Sequence, residues 1–233
     1  MCINCITLNR RQMLKATTIG VVALGLGIKA KRVLAKTGLT ADEALAKLIA
    51  GNQKYVDSDR LDIDGLRQAR ASTAAEQSPF VSILTCSDSR LVPEFVFGGL
   101  ELGELFVARD AGNVVDANII GTIEYGVEHL GTPLVVVLGH SHCGAVKAAC
   151  AYVQKPGELP GSIGKMIKDI IPIAKSQLGK EGDFIDNVVR ENAKNSAKLL
   201  TQSPMIGPKV KSGKVKILAA RYDLETGKVD FLG

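Results

Sequence analysis

The sequence predicts an α/β domain built on a mainly parallel sheet with helices on both faces, and three observations carry that prediction. PFVSILTC (Pro79 to Cys86) and PLVVVLG (Pro133 to Gly139) are nearly continuous apolar runs of strand length, as strands buried on two sides are. Segments with helical spacing stand between such runs, which is the pattern of strand, crossover helix and parallel strand. The chain has 233 residues, of which 46% are hydrophobic and 23% charged, and it shows no internal repeat or linker, so it is sized for one well-buried domain.

Taken in order, residues 40–56 open with a capping Thr40 and place Ala44, Leu45, Leu48, Ile49 and Val56 on one face, predicting an amphipathic helix. Residues 57–76 are polar and read as loop with a short helical piece. Pro79 to Cys86 is the first strand and LFVARDAGN (Leu105 to Asn113) the second. Helical spacing returns from Ala117 to Gly131 and leads into Pro133 to Gly139, the most apolar strand. Helix resumes from Cys143 to Val153 and again from Asp183 to Leu200. Gly213 to Gly233 reads as a strand, a turn at Glu225 to Gly227 and a short last strand. In such sheets sites lie beyond the carboxyl ends of the strands.

The formal net charge of +5 suggests an affinity for nucleic acid until its position is considered. Residues 1–35 hold six basic residues and no acidic one, which leaves 23 basic against 24 acidic from Lys36 onward. The body is near neutral and offers no basic field for a phosphate backbone. The first segment reads instead as an address. NRRQMLK (Asn9 to Lys15) precedes the apolar run Ala16 to Ile28, too short to span a bilayer, and small residues at Val33 to Ala35 suit cleavage. Arg10 and Arg11 ahead of that run make the segment similar to a twin-arginine export signal, with Asn9 and Met13 as mild departures. The expected organisation is therefore a signal peptide over 1–35 and a single domain over 36–233, exported to the periplasm with no membrane span remaining after cleavage.

Removing that segment takes Cys2 and Cys5 with it and leaves Cys86, Cys143 and Cys150. Three cysteines in an exported chain argue against a disulfide framework, so some other chemistry is expected to use two of them. In GHSHCGAV (Gly139 to Val146), His140 and Cys143 flank a strand-to-helix turn and can converge, whereas His142 points elsewhere. Cys143 at a helix start also has its thiolate favoured by the helix dipole. The second half lies about fifty residues earlier in TCSDSR (Thr85 to Arg90), at another strand end. Two thiolates and an imidazole make a three-ligand tetrahedral zinc site with one open position, the pattern of a catalytic centre. Asp88 and Arg90 alternate onto one side with Cys86, and a bidentate arginine would keep the Asp88 carboxylate ionised and aimed.

CSDSR and GHSHCGAV resemble the two signature segments of the β-class carbonic anhydrases. The similarity extends through GNQKYV (Gly51 to Val56), QSPFVSILTCSDSRLVPE (Gln77 to Glu94), GELFVARDAGN (Gly103 to Asn113), GTIEYGVEHLG (Gly121 to Gly131) and YDLETGKVDFL (Tyr222 to Leu232). That resemblance implies a five-stranded sheet, four strands parallel and one antiparallel, in a homodimer or tetramer with active sites near the interface. It implies one Zn2+ per chain on Cys86, His140 and Cys143, a catalytic pair Asp88 and Arg90, and reversible hydration of carbon dioxide to bicarbonate and a proton by a zinc-bound hydroxide. It also implies substrate contacts from Gln77, Phe106, Tyr125 and the backbone N–H of Gly144, and leaves His142 as a possible proton carrier. Two departures are present. The chain lacks any Trp, so the tryptophan-containing bicarbonate site that regulates some members is not expected, and Asp110 stands where Asn is commoner.

Three rival readings use the same residues. Hydrolysis of carbonyl sulfide or carbon disulfide would need the same zinc site. A non-catalytic zinc module would need a fourth protein ligand, for which Cys150 is the only spare thiol. A thiol redox protein would want closely spaced cysteines, which the body lacks.

Overall fold

The structure is a computed structural model and describes residues 37–58, 66–99 and 102–232. The segment read as an export signal lies outside the described residues. Among the described residues the five strands are β1 (Val81–Thr85), β2 (Leu105–Arg109), β3 (Leu134–His140), β4 (Lys216–Tyr222) and β5 (Val229–Phe231), and they stand in the order β2-β1-β3-β4-β5. The first four are parallel and β5 runs antiparallel to β4, as the family resemblance implies. β1 sends the chain out to β2 on one side, and β3 lies on its other side. The boundary between β1 and β3 is thus where the winding direction reverses, and sites in such sheets lie at the carboxyl edge of that boundary.

Both faces of the sheet are covered. In β3, Leu134, Val136 and Leu138 join a core with Ala44 and Leu48 of α1 (Ala41–Asp57), while Val135 and Val137 join Ile119 and Ile123 of α4 (Ala117–Tyr125) on the opposite face. The two-residue alternation of the pleat thereby feeds two separate cores, so the strand reads as apolar throughout. A third cluster caps the carboxyl edge. It holds Cys86, Cys143, Val146 and Cys150 together with Val188 and Val189 of α8 (Phe184–Thr201).

α1 carries the Thr40 cap in full: Thr40 Oγ1 accepts from the Glu43 N–H, and Glu43 returns a bond to the Thr40 N–H. Its buried line is Ala44, Leu48 and Asn52, whereas Ile49, expected on that face, is half exposed. After the short helix α2 (Leu66–Ser72) comes α3 (Pro93–Val96), and the GNQKYV segment lies where α1 crosses the turn after α3. A Cβ on Gly51 would sit 2.1 Å from the Phe97 carbonyl oxygen, so only glycine permits the approach. Asn52 then fastens the contact, donating to the Val96 and Gly227 carbonyls (2.9 and 2.8 Å) and accepting from the Val229 N–H (2.9 Å).

The structure departs from the sequence reading in several places. The strand expected to reach Asn113 ends at Arg109, because Gly112 (φ 83°) and Asn113 (φ 45°) turn the chain out of the sheet. The helix read as running from Ala117 to Gly131 changes at Tyr125 to a wider π turn over Gly126–Leu130. There Gly126 packs so closely that a Cβ would lie 2.3 Å from Ser82 Oγ. β3 continues one residue past Gly139 to His140. Residues 163–177, unassigned from sequence, form the short helices α6 (Ile163–Ile167) and α7 (Ile170–Gln177) that floor the third cluster. The turn between β4 and β5 falls at 224–226, close to the expected place.

Asn52→Ala should destabilise the domain by about 2–3 kcal/mol in urea unfolding, because it strands two carbonyls and one N–H that Asn52 now satisfies. Asp223, before the β4–β5 turn, supplies a pH test. The Thr226 amide, helped by Arg221, holds its carboxyl at about 2, below the ordinary 3.8. A carboxyl depressed in the folded state stabilises it above pH about 4 and loses that contribution as pH falls toward 2. Asp223→Asn should therefore flatten the acid-unfolding curve in that window, followed by circular dichroism.

Candidate metal centre

Parallel register brings the two signature segments together. Thr85 of β1 pairs with Leu138 of β3, so Cys86, the next residue, lies across from Gly139 and one step short of His140. Cys143 reaches the same point from the N-cap of α5 (Gly144–Gln154). The intervening His142 adopts a left-handed φ of 57°, which folds the chain sharply enough for His140 and Cys143 to converge. The His140, Cys86 and Cys143 ligand atoms all lie within 4.8 Å of one another, and the three residues are buried. The two Sγ atoms are 3.9 Å apart. Bonds of about 2.3 Å from zinc to sulfur at a tetrahedral angle would separate them by roughly 3.8 Å.

His140 Nδ1 is 2.9 Å from the Ser141 carbonyl, a contact in which only the protonated nitrogen can donate. The ring's other nitrogen, Nε2, then carries the lone pair. It is buried without a hydrogen-bond partner, one of two such side-chain atoms among the described residues. Leaving a buried acceptor unpaired costs roughly 1–3 kcal/mol, and a metal removes that cost. Two soft sulfurs and an imidazole select zinc over magnesium or calcium. The residues present therefore fit zinc, with a fourth position left open.

The thiols are already divided in character. Cys86 is held well below the ordinary thiol range, first because the Cys143 thiol donates to it, and also by the Gly112 N–H at 3.3 Å. Cys143 is pushed upward by serving as that donor and by burial, although the amides of Ala145 and Val146 at the helix start favour its thiolate. The expectation of a dipole-stabilised Cys143 thus holds in direction for the helix but yields to the neighbouring sulfur. A dication between the sulfurs would draw off the remaining proton.

Asp88 and Arg90 are brought to the rim. Arg90 Nε donates to Asp88 Oδ1 at 2.9 Å and Nη2 to Oδ2 at 2.7 Å, a two-pronged grip that holds the carboxyl far below its ordinary range. Asp88 Oδ2 lies 3.9 Å from His140 Nε2. Gly144 is the first residue of α5, with open space beside it: an added Cβ would meet nothing within 4 Å. His142 is exposed and stands 3.6 Å from Glu225, outside the cluster, and Cys150 is buried in the core with a free thiol.

Gln77, Phe106 and Tyr125 are not brought to this cluster within the chain. Phe106 pairs with Ser82 at the start of the sheet, four residues before Cys86, or about 13 Å along the strand. Tyr125 packs its ring 5.9 Å from that of Phe106 and is 45% exposed, and Gln77 is exposed before β1 begins. The three sit toward the amino edge, opposite the thiols.

Sequence reading passed over three supports of the centre. Arg109, read only as a strand residue, donates to the carbonyls of Cys86, Asp88 and Leu91. Ser141 donates its N–H to Tyr222 O and accepts from the Leu224 N–H, both at 2.9 Å, which ties the ligand loop to the β4–β5 turn. Asn192 and Ser196 of α8 donate to the carbonyls of Gly112 and Asn113 and so steady the amide that faces Cys86. A polar residue inside an amphipathic helix was the available signal for the last pair, but partners eighty residues away leave no local trace.

A family model described as carbonic anhydrase matches residues 81–229. Carbonic anhydrase 2 of Mycobacterium tuberculosis is 36% identical over 183 residues, covering 76% of this chain and 86% of that protein. The carbonic anhydrase of Mycolicibacterium smegmatis is 34% identical over 185 residues, covering 77% and 87%. Among solved structures, the β-carbonic anhydrase CcaA superposes with a TM-score of 0.64 at 27% identity, over 81% of this chain and 91% of its own. The Coccomyxa β-carbonic anhydrase in complex with acetazolamide gives 0.65 at 27%, over 81% and 86%. The matched span opens at the first residue of β1, closes at the first residue of β5 and contains all three convergent ligands, and the chain belongs to the β-class carbonic anhydrases, which are zinc enzymes.

Proposed function

We propose that the chain carries out reversible hydration of carbon dioxide to bicarbonate at Cys86, His140 and Cys143, with Asp88 and Arg90 as its catalytic pair. The observation that carries this reading is the Asp88 carboxylate, locked by Arg90 and standing 3.9 Å from the unpartnered nitrogen of His140. Zinc, when bound there, supplies a water acidified toward neutrality and a Lewis acid for the developing charge. Asp88 stays ionised beside Arg90, so it can only accept a hydrogen bond. It takes one from the O–H of the reacting water and turns that oxygen's lone pair toward carbon dioxide. Arg90 holds the carboxylate plane, so little reorganisation is needed as charge shifts. The Gly144 N–H at the start of α5 offers a donor to the bicarbonate oxygen, and the absence of a side chain there leaves the mouth open.

The chain acts as a homodimer or tetramer in this reading. Gln77, Phe106 and Tyr125 would then line a neighbouring subunit's site, which accounts for an aromatic pair held together, with Tyr125 exposed, at the wrong edge for its own. We also propose export by the twin-arginine route, on the strength of Arg10 and Arg11 ahead of Ala16 to Ile28. Among the described residues no helix is long and apolar enough to cross a membrane.

Stopped-flow hydration assays with zinc analysis test the assignment. The unaltered protein should hold about one zinc per chain, and Cys86→Ala should lose both metal and activity. Asp88→Asn should keep its zinc yet lose kcat/KM by about a hundredfold. A zinc-loaded protein without hydration activity that Cys86→Ala abolishes would overturn the reading. N-terminal sequencing of protein recovered outside the cytoplasm should begin at Lys36; an intact Met1 there would refute cleavage after Ala35.

A further inference from the structure

Asp88 owes its position to more than Arg90. The two residues lie in the same loop, so their mutual grip shapes the loop without fixing where the loop stands. Among the described residues, the hydrogen bonds that tie Asp88 to another element come from Arg109. Its Nη2 donates to the Asp88 carbonyl at 2.7 Å and to the Leu91 carbonyl at 2.9 Å, while Nε donates to the Cys86 carbonyl at 3.1 Å. One planar guanidinium thus spans the loop from the ligand at its start to the residue after Arg90. Arg109 itself is anchored, because β2 pairs Arg109 with Thr85, and the Asp110 N–H donates to the Thr85 carbonyl at 3.0 Å. Thr85 in turn donates its hydroxyl to the Leu138 carbonyl of β3 at 2.9 Å. The chain of contacts runs from β3 through β1 to β2 and back onto the loop.

We infer that Arg109 is a positioning residue for the Asp88–Arg90 pair, fixing the carboxylate at its distance from the metal centre by clamping the carbonyls of the 86–91 loop. Three contacts favour this over a surface arginine of no consequence. All three acceptors are main-chain carbonyls of one loop, none is a carboxylate that would satisfy the charge, and the clamp closes over the one ligand whose neighbours are catalytic. A lysine could reach one of these carbonyls but lacks the fork that holds three. A displacement near 1 Å at a reacting group costs on the order of a hundredfold in rate, so a loosened clamp is readable in kinetics.

The inference rests on the proposed role of Asp88, and a double-mutant cycle separates the two. Arg109→Ala should retain about one zinc per chain and lose kcat/KM for carbon dioxide hydration by about tenfold or more. Combined with Asp88→Asn, it should cost nothing further, since a residue that acts by placing Asp88 has nothing left to place. Arg109 is exposed, so guanidinium ion added at a concentration that leaves the unaltered protein unaffected should restore part of the lost activity, which a general loss of stability would not allow. Should Arg109→Ala fail to fold, Arg109→Lys carries the same cycle with a smaller loss. Activity unchanged in Arg109→Ala, a loss that adds in full to that of Asp88→Asn, or a loss that only follows departing zinc would each overturn the inference. If Asp88→Asn alone were fully active, the failure would belong to the catalytic pair itself.

Discussion

The parallel pairing of β1 with β3 is the constraint on which the rest of the molecule depends. Setting Thr85 against Leu138 places Cys86 beside Gly139 and leaves His140 projecting at the next step. A shift by a single residue would send His140 or Cys86 to the other side of the pleat and dissolve the centre. The register is held by burial on both faces, since Leu134, Val136 and Leu138 fill one core and Val135 and Val137 another. The hydrophobic effect therefore does the positioning that a metal site requires.

Around that register the polar groups form successive layers of restraint. Ser141 orients His140 through its carbonyl and is itself fastened to the β4–β5 turn, which Asp223 organises. Gly112 presents its amide to Cys86 while its carbonyl is held by Asn192. His140 and Cys86 are thus each aligned by a main-chain group, and the residue that supplies it is secured by an element distant in sequence. Among the described residues His140 Nε2 is left unsatisfied, as Asn113 Nδ2 is, and a zinc ion held by the three residues would be its partner.

Much of the fold was legible because its signals are local. Apolar runs, the Thr40 cap and the polar turn before Gly227 depend on neighbours within a few residues, and the structure matches them closely. The misread boundaries depend on long-range packing. Gly126 opens the wider turn where Ser82 leaves no room for a side chain, and Gly112 turns the chain after β2 where Ile170 and Ala145 leave none either. Ile49 follows the helical spacing of its neighbours yet faces outward, since periodicity reports a face and not what covers it.

By itself the sequence determined the ligand types, their division between two strand ends and the family to which the motifs belong, because chemistry of this kind is written in residue identity and short spacing. Only the tertiary structure decided that Cys86, His140 and Cys143 converge within 4.8 Å, that Arg109 reaches back over the Cys86 loop, and that Gln77, Phe106 and Tyr125 stand at the opposite edge from their own chain's thiols. Those outcomes follow from strand direction and register, which are set by how whole faces are buried and leave no mark on the residues that they bring together or hold apart.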